Sequence, residues 1–138
     1  MPINHRFASL AFAFAAGLLA SFCSYQWVTD PDRGARRALE ERVVREARLV
    51  LTDYVSNGQR LEISDPLERI REAGKVYIYP ATYGWELSGQ YRRDGENEWH
   101  AFLMQLDGDA GLISLAVDDD DPALRARADA DPKFSASR

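Results

Sequence analysis

Residues 84 to 106 read GWELSGQYRRDGENEWHAFLMQL, and this stretch decides the fold. Trp85, Leu87, Gly89 and Tyr91 alternate with Glu86, Ser88, Gln90 and Arg92. That is the period-two pattern of a strand with one face turned inward. Asp94-Gly95 gives a hairpin turn, and Glu98 to Leu106 resumes as the next strand. Asp107 to Gly111 (DGDAG) is a second turn, and Leu112 to Val117 (LISLAV) is a further strand. These last two strands are apolar on both faces, which places them centrally, under a helix on one side.

Upstream of the hairpin, Lys75 to Tyr79 (KVYIY) is rich in β-branched and aromatic residues and is stopped by Pro80. Arg60 to Ser64 (RLEIS) alternates over a shorter length and reads as an edge strand. Between them, Asp65-Pro66-Leu67-Glu68 has the form of a helix start, with Glu68 placed for a capping box and Gly74 as the stop. This predicts a second helix of about two turns, stable only if packed.

The helix that covers the sheet is written earlier. From Asp32 to Val55, Leu39, Val43, Ala47, Val50 and Tyr54 recur at steps of three and four, and Val44, Leu51 and Val55 widen the stripe. Asp30-Pro31 supplies its start and Asn57-Gly58 its end. The expected fold class is therefore α+β: an N-terminal transmembrane or signal helix, then a long helix and a short helix packed on an antiparallel sheet of about four strands.

The chain has 138 residues. Its domains read as a membrane anchor or signal segment over 1–28, a small α+β domain over 29–117, and an acidic, disordered tail over 118–138. The tail opens on the four carboxylates Asp118 to Asp121 and continues in small and charged residues.

Phe7 to Cys23 (FASLAFAFAAGLLASFC) carries no charge. Extended to Val28 it spans about 33 Å as a helix, enough for a bilayer core of about 30 Å. Tyr25 and Trp27 sit where an interfacial belt would lie. A cleaved signal fits less well, because a cut after Cys23 puts an unusual Cys last and a cut after Ala20 leaves bulky Leu18 at the other recognition position. Lipidation at Cys23 fits least, since Phe22 stands where a small residue is needed. Membrane contact is thus expected through residues 7–28, in a bacterial inner membrane with the domain on the periplasmic side. Arg33, Arg36, Arg37 and Arg42 just after the span argue for the opposite side by the positive-inside rule.

Composition excludes several functions. The formal net charge is -5, which disfavours nucleic acid. The single cysteine, Cys23, and the two histidines, His5 and His100, leave no zinc site of the usual kind and no cofactor signature. No Gly-x-Ser-x-Gly element is present, and His100 stands without a cysteine or serine partner pattern. Asp107 to Gly111 opens like a calcium loop, but Leu112 replaces the required glycine and Asp118 the terminal Glu.

The aromatic residues are the better lead. Tyr79, Tyr83 and Trp85, with Arg92 and Arg93 at the hairpin, are the candidate partner-binding residues. The order of elements over residues 7 to 117 resembles small membrane-tethered domains of the cytochrome oxidase assembly-factor type. That resemblance implies an accessory or assembly role. The resulting expectation is a non-enzymatic, membrane-tethered envelope protein that binds a membrane or envelope partner through its sheet. The alternative is a periplasmic small-ligand binder with a pocket between helix and sheet.

Overall fold

A computed structural model describes residues 31–69 and 74–137, together with Leu18, Ser21 and Tyr25, which are exposed and helical. The rest of the apolar segment, including Cys23, Trp27 and the expected N-cap Asp30, lies outside the described residues. No helix among the described residues is long and apolar enough to cross a membrane. The chain forms two compact units, Met1–Ala38 and Leu39–Arg138.

The fold is α+β, with two helices and a mixed six-stranded sheet. Helix α1 (Pro31–Val55) leads to strands β1 (Leu61–Ser64), β2 (Tyr77–Ala81), β3 (Gly84–Arg93), β4 (His100–Asp107) and β5 (Leu112–Asp118). Helix α2 (Pro122–Ala130) and strand β6 (Phe134–Ser137) complete it. The strand order is β1-β3-β4-β5-β6. Strand β2 also pairs with β3, beside its first half, while β1 pairs with its second half. Strands β3 to β5 form the antiparallel meander that the alternation and turn residues predict.

The helical stripe is the one the periodicity predicts. Val43, Val44, Ala47, Leu51 and Val55 are buried and join one core with Leu87, Tyr91, Met104, Leu106, Leu115 and Val117 from the sheet. Each such side chain contributes about 1.5–3 kcal/mol when removed from water. The helix ends at left-handed Asn57 and Gly58 (φ 48° and 80°).

Three expectations are corrected. The short helix expected after Asp65 is replaced over residues 66–69 by a turn, even though Asp65 makes the bond of an N-cap. Its carboxylate is buried against the Arg48 guanidinium and accepts the Leu67 N–H at 2.9 Å. Residues 70–73, where that helix was to continue, lie outside the described residues.

The sheet has six strands rather than about four, and it is mixed because β6 runs parallel to β5. Residues 118–137 are accordingly no disordered tail. Asp121 caps α2 by accepting the Ala123 N–H at 2.8 Å, and Pro122 opens the helix. Leu124 and Phe134 are buried in the common core. A carboxylate-rich run reads as solvated by composition, but here Asp119 accepts from Tyr91 and Arg93 and Asp121 from Asn57.

Glycine is required at two places in β3. At Gly84 (φ 144°) an added Cβ would lie 2.2 Å from the Leu106 carbonyl oxygen. At Gly89 it would lie 2.5 Å from the Ser64 carbonyl oxygen and 2.7 Å from the Phe102 ring.

Candidate functional site

The pleat sorts the sheet into two chemically different faces. Trp85, Leu87, Gly89, Tyr91 and Arg93 of β3 are buried on the face that carries the core, as are His100, Phe102, Met104 and Leu106 of β4. The opposite face holds the intervening residues. Register fixes two rows on it. Tyr79, Glu86, Gln105 and Ser114 stand opposite one another across β2, β3, β4 and β5. The adjacent row is Tyr77, Ser88, Leu103, Ala116 and Ser135. Gln90 and Ala101 follow.

Glu86 is the only charged residue in these rows. The ion pair of Arg92 and Glu62 lies toward one end of β3. In a chain that is 28% charged, two rows with one charge are a local depletion, with Asp107, Asp118 and the Arg92–Glu62 pair at the margins of the same face. Leu103, Tyr77 and Tyr79 are 38%, 37% and 43% exposed on it.

The first row is joined by hydrogen bonds. Both tyrosine hydroxyls donate to Glu86 Oε1, Tyr77 at 3.2 Å and Tyr79 by a short contact. Gln105 Nε2 donates to Glu86 Oε2 at 3.4 Å, and Ser114 Oγ donates to Gln105 Oε1 at 3.2 Å. The Tyr77 and Tyr79 rings stack with centroids 5.1 Å apart. The Tyr79 bond leads the effects that hold the Glu86 carboxyl below its usual range, and the same bond drives the Tyr79 hydroxyl up to about 12. The carboxylate is thus fixed in place by neutral donors.

A second polar group is buried where β3, β4 and the segment after β5 meet. Asp119 Oδ2 accepts from the Tyr91 hydroxyl and from Arg93 Nη2, both at 2.6 Å. Asp119 Oδ1 accepts the Asp121 N–H at 3.0 Å. Arg93 also donates to the Val55 carbonyl at 2.8 Å and to Glu96 at 3.0 Å. His100 packs on the Tyr91 ring, with Nδ1 3.2 Å from the Asp118 carbonyl oxygen and Nε2 3.5 Å from Glu96. Burial pushes the Tyr91 hydroxyl up, and its bond to Asp119 pushes it further. Burial also raises the Asp119 carboxyl, but the bonds from Tyr91, the Asp121 N–H and Arg93 together hold it below its usual range.

A cleft of about 500 Å³ opens beside this group, lined by Arg93, Glu96, His100 and Asp119 to Asp121 among others. Its buried charges are matched with one another. Asp119 is engaged by three donors, two from β3 and one from its own segment, so the arrangement fastens the C-terminal arm to the sheet. Among the described residues, no three His, Cys, Asp or Glu side chains group as metal ligands would. Asp107 instead closes its own turn, accepting the N–H groups of Asp109 at 2.9 Å and Gly111 at 2.7 Å.

The five residues singled out by sequence do not share a surface. Tyr79 and Tyr83 are exposed, Tyr83 at 79% in the β2–β3 turn. Trp85 is 7% exposed on the core face, opposite Leu106. Arg92 lies over the Trp99 ring and pairs with Glu62, while Arg93 is 3% exposed and belongs to the Asp119 group. Trp85 and Arg93 are corrected to structural positions, for alternation from Leu87 turns both inward.

Sequence reading missed Glu86 and Gln105, although the signal was there: both occupy the non-core phase of their strands. It also missed Asp119, which has no local signature. Between α1 and the sheet, where a ligand pocket was the alternative, Val43, Val44, Leu51, Leu87, Met104 and Leu115 pack with almost no exposure. No protein-family model, curated protein or solved structure matches the chain.

Proposed function

We propose that this chain is a non-enzymatic, membrane-tethered envelope protein. It acts as an accessory or assembly subunit, docking on a partner protein through the open face of its sheet. The observation that carries the reading is the charge depletion of the two central rows of that face: Tyr, Leu, Ala, Ser and Gln with one fixed carboxylate, in an otherwise highly charged chain. Depletion of charge with retention of tyrosine is the compositional mark of an interface core.

The tether is the apolar segment 7–28, and the side of the membrane is the periplasm. The aromatic lead survives in altered form, with Tyr77 and Tyr79 as contact residues and Trp85 as support from beneath.

Site-specific photo-crosslinking in intact cells tests the docking face. A benzophenone side chain at Leu103 is expected to give one discrete adduct. The same group at Arg125, on the exposed side of α2, is expected to give none. Equal labelling from both positions, or none from Leu103, refutes the reading. Protease digestion before and after rupture of the inner membrane tests the placement, and intact mass tests retention of residues 1–28.

A further inference from the structure

We propose that the docking face receives one cationic side chain, a guanidinium in the first instance, presented by the partner protein between Glu86 and the stacked rings of Tyr77 and Tyr79. This inference rests on the reading of the sheet face as a docking surface and names the chemistry of its centre.

Three observations carry it. Glu86 is ordered by three neutral donors, yet no cation among the described residues pairs with it. Elsewhere in the fold, Glu62, Glu96, Asp53, Asp65 and Asp119 all meet an arginine. Glu86 is also the sole charge of the two rows, so a partner surface that covers those rows meets a single negative charge there. Finally, the two tyrosine rings stand beside it at half exposure, and ring faces attract a cation at the same place as the carboxylate does.

The hydroxyl protons of both tyrosines already point to Glu86, as does one amide proton of Gln105. Apart from the second amide proton of Gln105, what remains on offer is oxygen lone pairs and ring faces, which suits a donor-only group. A guanidinium has five N–H donors in a plane and no acceptor, and it stacks on aromatic faces. An ammonium satisfies the charge but not the planar stacking. A partner carboxylate would be repelled.

The test uses the full chain in detergent micelles, labelled for amide NMR. It is titrated with two acetylated, amidated tripeptides, Leu-Arg-Leu and its neutral counterpart Leu-citrulline-Leu. The arginine peptide is expected to shift amides around Tyr77, Tyr79, Glu86 and Gln105. Its binding is expected to weaken about ten-fold in Glu86→Gln and to fall steeply with added salt. Tyr79→Phe keeps the ring and removes one donor, so it is expected to bind more weakly than wild type and more tightly than Glu86→Gln. Folding of each variant is checked by near-ultraviolet dichroism.

Equal binding of the citrulline peptide, or an unchanged Glu86→Gln, overturns the cation. If the Leu103 crosslink persists in that case, the docking face stands without it. Absence of both the crosslink and any peptide shift removes the face and the cation together.

Discussion

Replacing Asp119 tests the buried group most directly. Asp119→Ala removes the acceptor of the Tyr91 hydroxyl and of Arg93 Nη2, both at 2.6 Å, in a site where Tyr91 is 0% and Arg93 3% exposed. An orphaned buried hydroxyl costs about 1–3 kcal/mol. Removing one partner of a buried ion pair costs about 3–5 kcal/mol in total. Arg93 keeps Glu96 and the Val55 carbonyl, so its charge is not stranded, and the middle of that range applies. The expected loss is about 4 kcal/mol, or a fall in Tm of about 16 °C at ~4 °C per kcal/mol. Asp119→Asn keeps the shape and one acceptor oxygen, so about half that loss is expected.

The pH dependence carries a definite sign. The folded-state carboxyl lies below its unfolded value of 3.8. Its contribution is therefore complete above the unfolded value and is lost as pH falls through the folded value. Urea unfolding followed by tryptophan fluorescence is expected to show wild type and Asp119→Asn converging as pH drops from about 5 to about 2. A loss below about 1 kcal/mol for Asp119→Ala at pH 7, or parallel curves down to low pH, would refute the assignment of Asp119 as the fastener of the C-terminal arm.

Phe134→Ala empties a position that is 3% exposed in the common core, so global stability is expected to fall by about 3–5 kcal/mol in urea unfolding. A frayed tail would lose almost nothing. Gly89→Ala drives a Cβ to 2.5 Å from the Ser64 carbonyl oxygen, and calorimetry is expected to register a loss of about 1–3 kcal/mol. Arg48→Met leaves the buried Asp65 carboxylate with the hydrogen bond from the Leu67 N–H. Because the Arg48 side chain is 41% exposed, the expected cost in urea unfolding is about 2 kcal/mol, below that of a fully buried pair.

The strands of the meander and the long helix were legible because each is specified by its own side chains. Tyr91, Leu87 and Trp85 repeat at the pleat period, and Val43, Ala47 and Leu51 at the helical one. The same period shows that Arg93 continues the inward phase, a consequence hidden by its charge. The short helix after Asp65 failed for the opposite reason. Asp65 makes its local cap bond to the Leu67 N–H, yet the same carboxylate is held by Arg48, 17 residues earlier, and residues 66–69 form a turn.

Sequence alone determined the α+β class, the helix stripe, the central position of β4 and β5, and the apolar segment that awaits a test of its address. Those properties follow from local periodicity and turn chemistry. Tertiary structure decided the ion partner of Asp65, the burial of Asp119 and Arg93, and the single charge left in the two central rows of the open face. It also decided that residues 118–137 fold. Their few apolar side chains, Leu124 and Phe134, cannot stabilise an arm by themselves. They become sufficient when β5 offers a free edge, Tyr54 donates to Asp131 at 2.6 Å, and Arg93 and Tyr91 wait for a carboxylate.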